Sequence, residues 1–202
     1  MKSAIGDAMA SVHIPERKQT IDDATELTAF LAEFGIIYKR WPLEERVSPD
    51  ASSEDILAAY APEIDELKRW GGYVTADVIN VTPDTPNLDA MLNKFNKEHQ
   101  HSEDEVRFIV KGTGLFHIHP ETGPVFSITV QGGDLITVPR GTKHWFDLCQ
   151  ERTIRAIRLF QDMAGWTPQY VEGGVHQEFA PLCWGPAYLK PEKTFKPSAA
   201  IL

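Results

Sequence analysis

From Glu105 to Phe160 the sequence is cut into short β-forming stretches at nearly even spacing, most of them ended by a glycine- or proline-bearing turn. The stretches are Glu105–Val110, Leu115–His119, Val125–Val130, Asp134–Val138, His144–Leu148 and Thr153–Phe160. Between them lie Lys111-Gly112-Thr113-Gly114, Glu121-Thr122-Gly123-Pro124, Gly132-Gly133 and Pro139-Arg140-Gly141. Strands repeated at that interval predict a closed antiparallel barrel or a jelly roll. Tyr73–Val81 adds a further strand upstream.

The first third reads as helical cover for this sheet. Thr20 is placed as an N-cap with Asp23 three positions on, and Ile21, Ala24, Leu27, Leu31 and Phe34 then recur at helical spacing before Gly35. A second helix starts at Ser52 or Ser53 and carries Ile56, Leu57 and Tyr60, and Pro62 opens another turn with Ile64 and Leu67. Leu88, Met91, Leu92 and Phe95 mark a short amphipathic helix. One domain follows, with residues 1–72 as cover, 73–184 as the barrel and 185–202 as a tail. Charge narrows the partners. Twenty basic against twenty-nine acidic side chains give a net charge of −9, which repels a phosphate backbone, and no basic stripe opposes it. No apolar run is long enough to cross a bilayer, and residues 1–16 lack an apolar signal core, so a cytoplasmic protein is the expectation, and a closed barrel with covered edges permits a monomer. Cys149 and Cys183 lie far apart with no CxxC and read as buried reduced thiols.

Chemistry concentrates in His99-Gln100-His101-Ser102-Glu103-Asp104-Glu105. Run as an extended strand, this segment points His99, His101 and Glu105 to one face, with Arg107 following. Two imidazoles and a carboxylate on one face suit a divalent transition metal, whereas solvated side chains on a strand edge are the plain alternative. Arg107 is either a cation inside the same cavity or a surface arginine paired with Glu103 or Asp104. Glu98 and Asp104 flank the ligands and either fix an imidazole tautomer, take a proton, or stay solvated. A second HxH, His117 and His119, lacks a partner histidine bounded by Gly and Pro and reads as strand surface. His13 and His176, near the two ends, read the same way.

Two blocks carry a resemblance. The first is HxH, three residues, Glu105, six residues, Gly112; the second is Gly133, five residues, Pro139, one residue, Gly141, two residues, His144. They resemble the two motifs of the cupin superfamily, which implies a mainly β, jelly-roll barrel (a double-stranded β-helix) in which His144 joins His99, His101 and Glu105 on one metal. Asn93 and Leu148 depart from the usual Gly and Asn at non-ligand positions. Within the cupins, residues 95–108 and 134–147 resemble the acireductone dioxygenases of methionine salvage. So do Gly112–Phe116, the strand Thr75–Val81 with Thr82-Pro83-Asp84, and Ile157–Phe160 leading to Gly165-Trp166.

That resemblance implies a metal-dependent dioxygenase cleaving the enediol 1,2-dihydroxy-3-keto-5-methylthiopentene with O2. It implies one Fe(2+) or Ni(2+) per chain, iron yielding 4-methylthio-2-oxobutanoate and formate, nickel yielding 3-methylthiopropanoate, formate and CO. Phe95, Phe146 and Trp166 match positions lining the pocket for the methylthio tail, and Arg107 is placed to offset the enediolate charge. Another cupin dioxygenase or isomerase, or a metal-binding cupin without catalysis, shares the four ligands without the Asp104–Phe108 neighbourhood.

Overall fold

The computed structural model describes residues 9–43, 46–162 and 166–179. In chain order the elements are β1 (Ser11–Ile14), β2 (Gln19–Ile21), α1 (Ala24–Ala32), β3 (Ile37–Arg40), α2 (Ser53–Ala59), α3 (Ala61–Gly71), β4 (Thr75–Val81) and α4 (Leu88–Leu92). They continue with β5 (His99–Gln100), β6 (Glu105–His119), β7 (Phe126–Gln131), β8 (Asp134–Val138), β9 (Lys143–Leu148), β10 (Ile154–Phe160) and β11 (Gln169–Tyr170).

All strand pairings are antiparallel, and the 15-residue β6 belongs to two sheets at once. Its first half pairs with β8 and β10, its second half with β7 and β9. The first sheet runs β4-β10-β6-β8-β3 and the second runs β11-β5-β9-β6-β7-β1-β2. This is the jelly-roll arrangement of the expected class, but it is not closed. Both sheets keep edge strands, which fits a two-sheet design that covers its edges rather than abolishing them.

The bend in β6 comes from the Lys111–Gly114 segment expected to separate two strands. Gly112 has φ +85°, and a Cβ there would stand 2.0 Å from the Thr153 carbonyl oxygen, so only glycine lets β10 approach. The β10 register shifts between Arg155 and Ala156 opposite this point, so both strands turn together. A turn signal here bends a strand without ending it.

Side chains of β6 alternate between two environments. Val106, Phe108 and Val110 pack with Ile56, Ile64 and Leu67 of α2 and α3 and with Tyr60 between them, while Ile109, Phe116 and Ile118 join the core between the sheets. Ser52 caps α2 and a proline opens α3, as expected. The first helix differs. Its cap is Asp23, which accepts from the Thr25 and Glu26 amides, and Thr20 and Ile21 belong to β2. An aspartate that can take two amides wins over the earlier threonine. The N-terminal cover is also partly sheet, since β1 pairs with β7 and β3 with β8. Cys149 is buried, as expected, but disulfide-bonded, which corrects the expectation of a reduced thiol at this position. Cys183, Gly165 and the 185–202 tail lie outside the described residues. Among the described residues no helix is long and apolar enough to cross a membrane.

Candidate metal centre

The segment His99–Glu105 is not one strand. β5 ends at Gln100, the chain bends through Ser102 and Glu103, and β6 begins at Glu105. Convergence therefore comes from tertiary pairing. His99 stands directly opposite His144, and His144 is also opposite Ile118 of β6. The His101 carbonyl accepts from the Gly141 amide at 2.9 Å, tying the HxH segment to the Pro139–Gly141 turn.

His99, His101 and His144 are all buried, and their ligand atoms lie within 4.8 Å of one another. Each Nδ1 faces a backbone carbonyl: Lys97 at 2.6 Å, Thr167 at 3.1 Å and Thr142 at 2.8 Å respectively. A carbonyl only accepts, so each Nδ1 carries the hydrogen and each Nε2 keeps a bare lone pair. Glu105 Oε2 lies 3.0 Å from His144 Nε2 and 3.3 Å from His101 Nε2. The His101 Nε2 contact lacks hydrogen-bond geometry, leaving that buried atom unpartnered. Three bare imidazole nitrogens and a carboxylate form a cluster of acceptors with no donor of its own, which a cation satisfies. The residues present fit a divalent metal.

Electrostatics agree with this. Burial, then the neighbouring His144, depresses His99 from 6.5 to about 4, so its ring is neutral at pH 7 and free to ligate. Burial opposes ionisation of Glu105, but the Arg107 guanidinium beside it outweighs that. The carboxyl is held well below its usual range.

Arg107 is buried, which corrects the surface alternative. Its Nε donates to Glu105 Oε1 at 2.5 Å, and its guanidinium lies 5.0 Å from the Phe146 ring, 5.3 Å from Trp166 and 5.6 Å from Phe116. Phe95 and Phe146 line an apolar cavity with Met91, Leu92 and Arg107, and Trp166 stacks on His101 at 6.2 Å. Phe116, which the sequence did not single out, is a fully buried core residue of β6 whose ring meets Phe146 edge-on at 4.9 Å.

Other expectations fall differently. Glu98 is buried, and its carboxylate accepts from the Val175 amide at 2.6 Å and pairs with His119 Nδ1 at 2.5 Å. Asp104 accepts from the Arg140 amide at 3.0 Å and holds the turn before His144. Tautomer control belongs to the carbonyls of Lys97, Thr142 and Thr167. For two of them the signal was present, since each stands two residues before its histidine. His117 is buried, not on the surface, and stacks on Trp145 at 4.7 Å with 6° between the rings. His119 is part-buried. Among the described residues, neither belongs to the metal-ligand group.

Comparison with known proteins decides the family. Residues 10–168 match the ARD/ARD' family. The chain belongs to that family. It is 43% identical over 171 residues to the acireductone dioxygenase of Picosynechococcus sp., covering 85% of this chain and 97% of the relative. It is 45% identical over 157 residues to that of Stutzerimonas stutzeri, covering 78% and 86%. The solved acireductone dioxygenase from Bacillus anthracis, described with a cadmium ion in its active center, matches with a TM-score of 0.75 at 38% identity, covering 81% of this chain and 99% of that one. These relatives and the solved structure all carry the name of a dioxygenase; this protein is a metal-dependent dioxygenase, and the reading as a non-catalytic metal-binding cupin is set aside.

Proposed function

We propose that this dioxygenase cleaves the acireductone 1,2-dihydroxy-3-keto-5-methylthiopentene with O2 in methionine salvage, using one Fe(2+) or Ni(2+) held by His99, His101, Glu105 and His144. The observation that carries this reading is the acceptor cluster with a buried arginine beside it. When bound, the ion would supply Lewis-acid stabilisation of the two enediolate oxygens, and its identity would decide between the keto acid with formate and the shorter acid with formate and CO.

The protein's own groups do the rest. The three Nδ1–carbonyl hydrogen bonds keep the Nε2 atoms aimed inward and unprotonated. Arg107, pinned by Glu105 and three rings, carries a fixed positive charge where the enediolate is negative. Its planar fork offers two-point contact to adjacent oxygens. Phe95, Phe146, Met91 and Leu92 give the methylthio tail an apolar seat and exclude water from the cleavage site. A substrate already reduced as an enediol dianion can pass electrons to oxygen, which is why the reaction does not demand a redox-active ion.

The test is metal content and oxygen uptake measured together. His101→Ala and His144→Ala should each lose most of the metal and the uptake, whereas His117→Ala keeps both. Stoichiometric metal in the first two variants would overturn the ligand assignment, and metal loss in the third would mean the wrong HxH was chosen.

A further inference from the structure

Arg158 on β10 stands directly opposite Arg107 on β6, and Asp77 of β4 stands opposite Arg158 on its other side. Like charges in direct register destabilise a sheet, so each arginine needs a counter-charge. Arg107 takes Glu105, and Arg158 takes both oxygens of Asp77, at 2.8 Å from Nε and 2.5 Å from Nη2. A part-exposed ion pair alone contributes little. Arg158, however, does more than pair. Its guanidinium lies 5.0 Å from the Phe160 ring and 5.7 Å from Trp166, and it lines the same cavity as Arg107 and Phe146.

Trp166 is the shared element. It lies beyond the end of β10, outside any helix or strand, so no sheet register fixes it. Its buried Nε1 makes no hydrogen bond among the described residues. What holds the ring is its faces and edges: Phe160 at 4.6 Å, His101 at 6.2 Å, and the two guanidiniums at 5.3 and 5.7 Å. We propose that Arg158 is a positioning residue: clamped by Asp77, its guanidinium holds the Trp166 ring against His101 and Arg107, beside the cavity that both arginines line.

The kinetic part rests on the acireductone reading; the placement of Trp166 does not. Acrylamide quenching of Trp166 is therefore read first, as the difference between each protein and its Trp166→Phe counterpart. Arg158→Met should leave Trp166 more accessible to acrylamide, and Asp77→Asn, which removes only the clamp from a half-exposed position, should do so to a smaller degree. Arg158→Lys should restore part of the protection, since an ammonium can sit on the ring but cannot take two carboxylate oxygens. In oxygen uptake, Arg158→Met should lower kcat/KM roughly tenfold, chiefly through KM, with metal content unchanged. Should Arg158→Met fold poorly, Asp77→Asn and Arg158→Lys carry the test alone. Unchanged quenching of Trp166 overturns the positioning role and leaves a plain structural ion pair. Altered quenching with unaltered kcat/KM overturns its part in the reaction. Absence of turnover in every protein, wild type included, condemns the acireductone reading and leaves the quenching result standing.

Discussion

Arg107 carries two duties that substitution can separate. Its Nε pairs with Glu105, while the guanidinium lies beside the Phe146 and Trp166 rings and lines the apolar cavity. Arg107→Ala should keep the metal and lower kcat/KM roughly 10²- to 10³-fold, the order lost with one preorganised charge-stabilising donor. Arg107→Lys should recover part of this, and steady-state oxygen uptake with metal analysis of each variant checks both. His99 gives a stability signature in the metal-free protein. Its folded pKa, about 4, lies below 6.5, so the folded state binds fewer protons than the unfolded state. The contribution is fully present above pH 6.5 and disappears as pH falls toward 4, about 3 kcal/mol in all. Glu105 acts below this window, since its folded pKa is lowered from 4.5 and its contribution is lost only as pH falls through that lower value. Urea unfolding of metal-free protein at pH 7 and pH 4.5 should show the difference, and His99→Gln should flatten it.

At the scale of elements, the site depends on β6 being one bent strand. Glu105 and Arg107 lie in the half paired with β8 and β10, and Phe116 in the half paired with β9 and β7. The bend brings the two halves over a common interior. Gly112→Ala would combine a positive φ with a methyl 2.0 Å from the Thr153 oxygen, so it should cost roughly 3 kcal/mol or more in urea unfolding. Gly141→Ala is the control. Its φ is +75° but nothing lies within 4 Å of the added methyl, so only the backbone penalty of about 1 kcal/mol applies. Equal losses at the two positions would show that the β6–β10 approach is not what Gly112 serves. This part of the fold was half legible. The strands around 126–160 follow from alternation and turn residues to within a residue or two. The fusion of 105–110 with 115–119 does not, because a glycine that ends a strand and one that bends it look alike until the partner strand is placed.

Over the whole molecule, the gathering of His99, His101 and Glu105 was legible for a reason other than the one local pattern offered. His99, His101 and Glu105 do meet, but through the β5–β9 pairing and the bend at 101–104, not through alternation along one strand. Motif spacing survives such a change of mechanism because it encodes the tertiary pairing directly. Buried partners at long range had no such code. Ser11–Ile14 and Ile37–Arg40 are too short to announce themselves as strands, and they are recognisable only beside β7 and β8. Arg158 reads as one charge in an apolar strand until Asp77 and Trp166 surround it. The proposed reaction requires this fold to gather a metal and an arginine around an oxidisable enediol. Its most direct test is oxygen uptake on synthetic acireductone, mixed anaerobically, by protein stripped of metal and then loaded separately with Fe(2+) or Ni(2+). Loaded protein should consume oxygen and release formate in equal amounts, far above the substrate's own oxidation, and stripped protein should not. Fully loaded protein that consumes no oxygen beyond that background would contradict the proposed reaction.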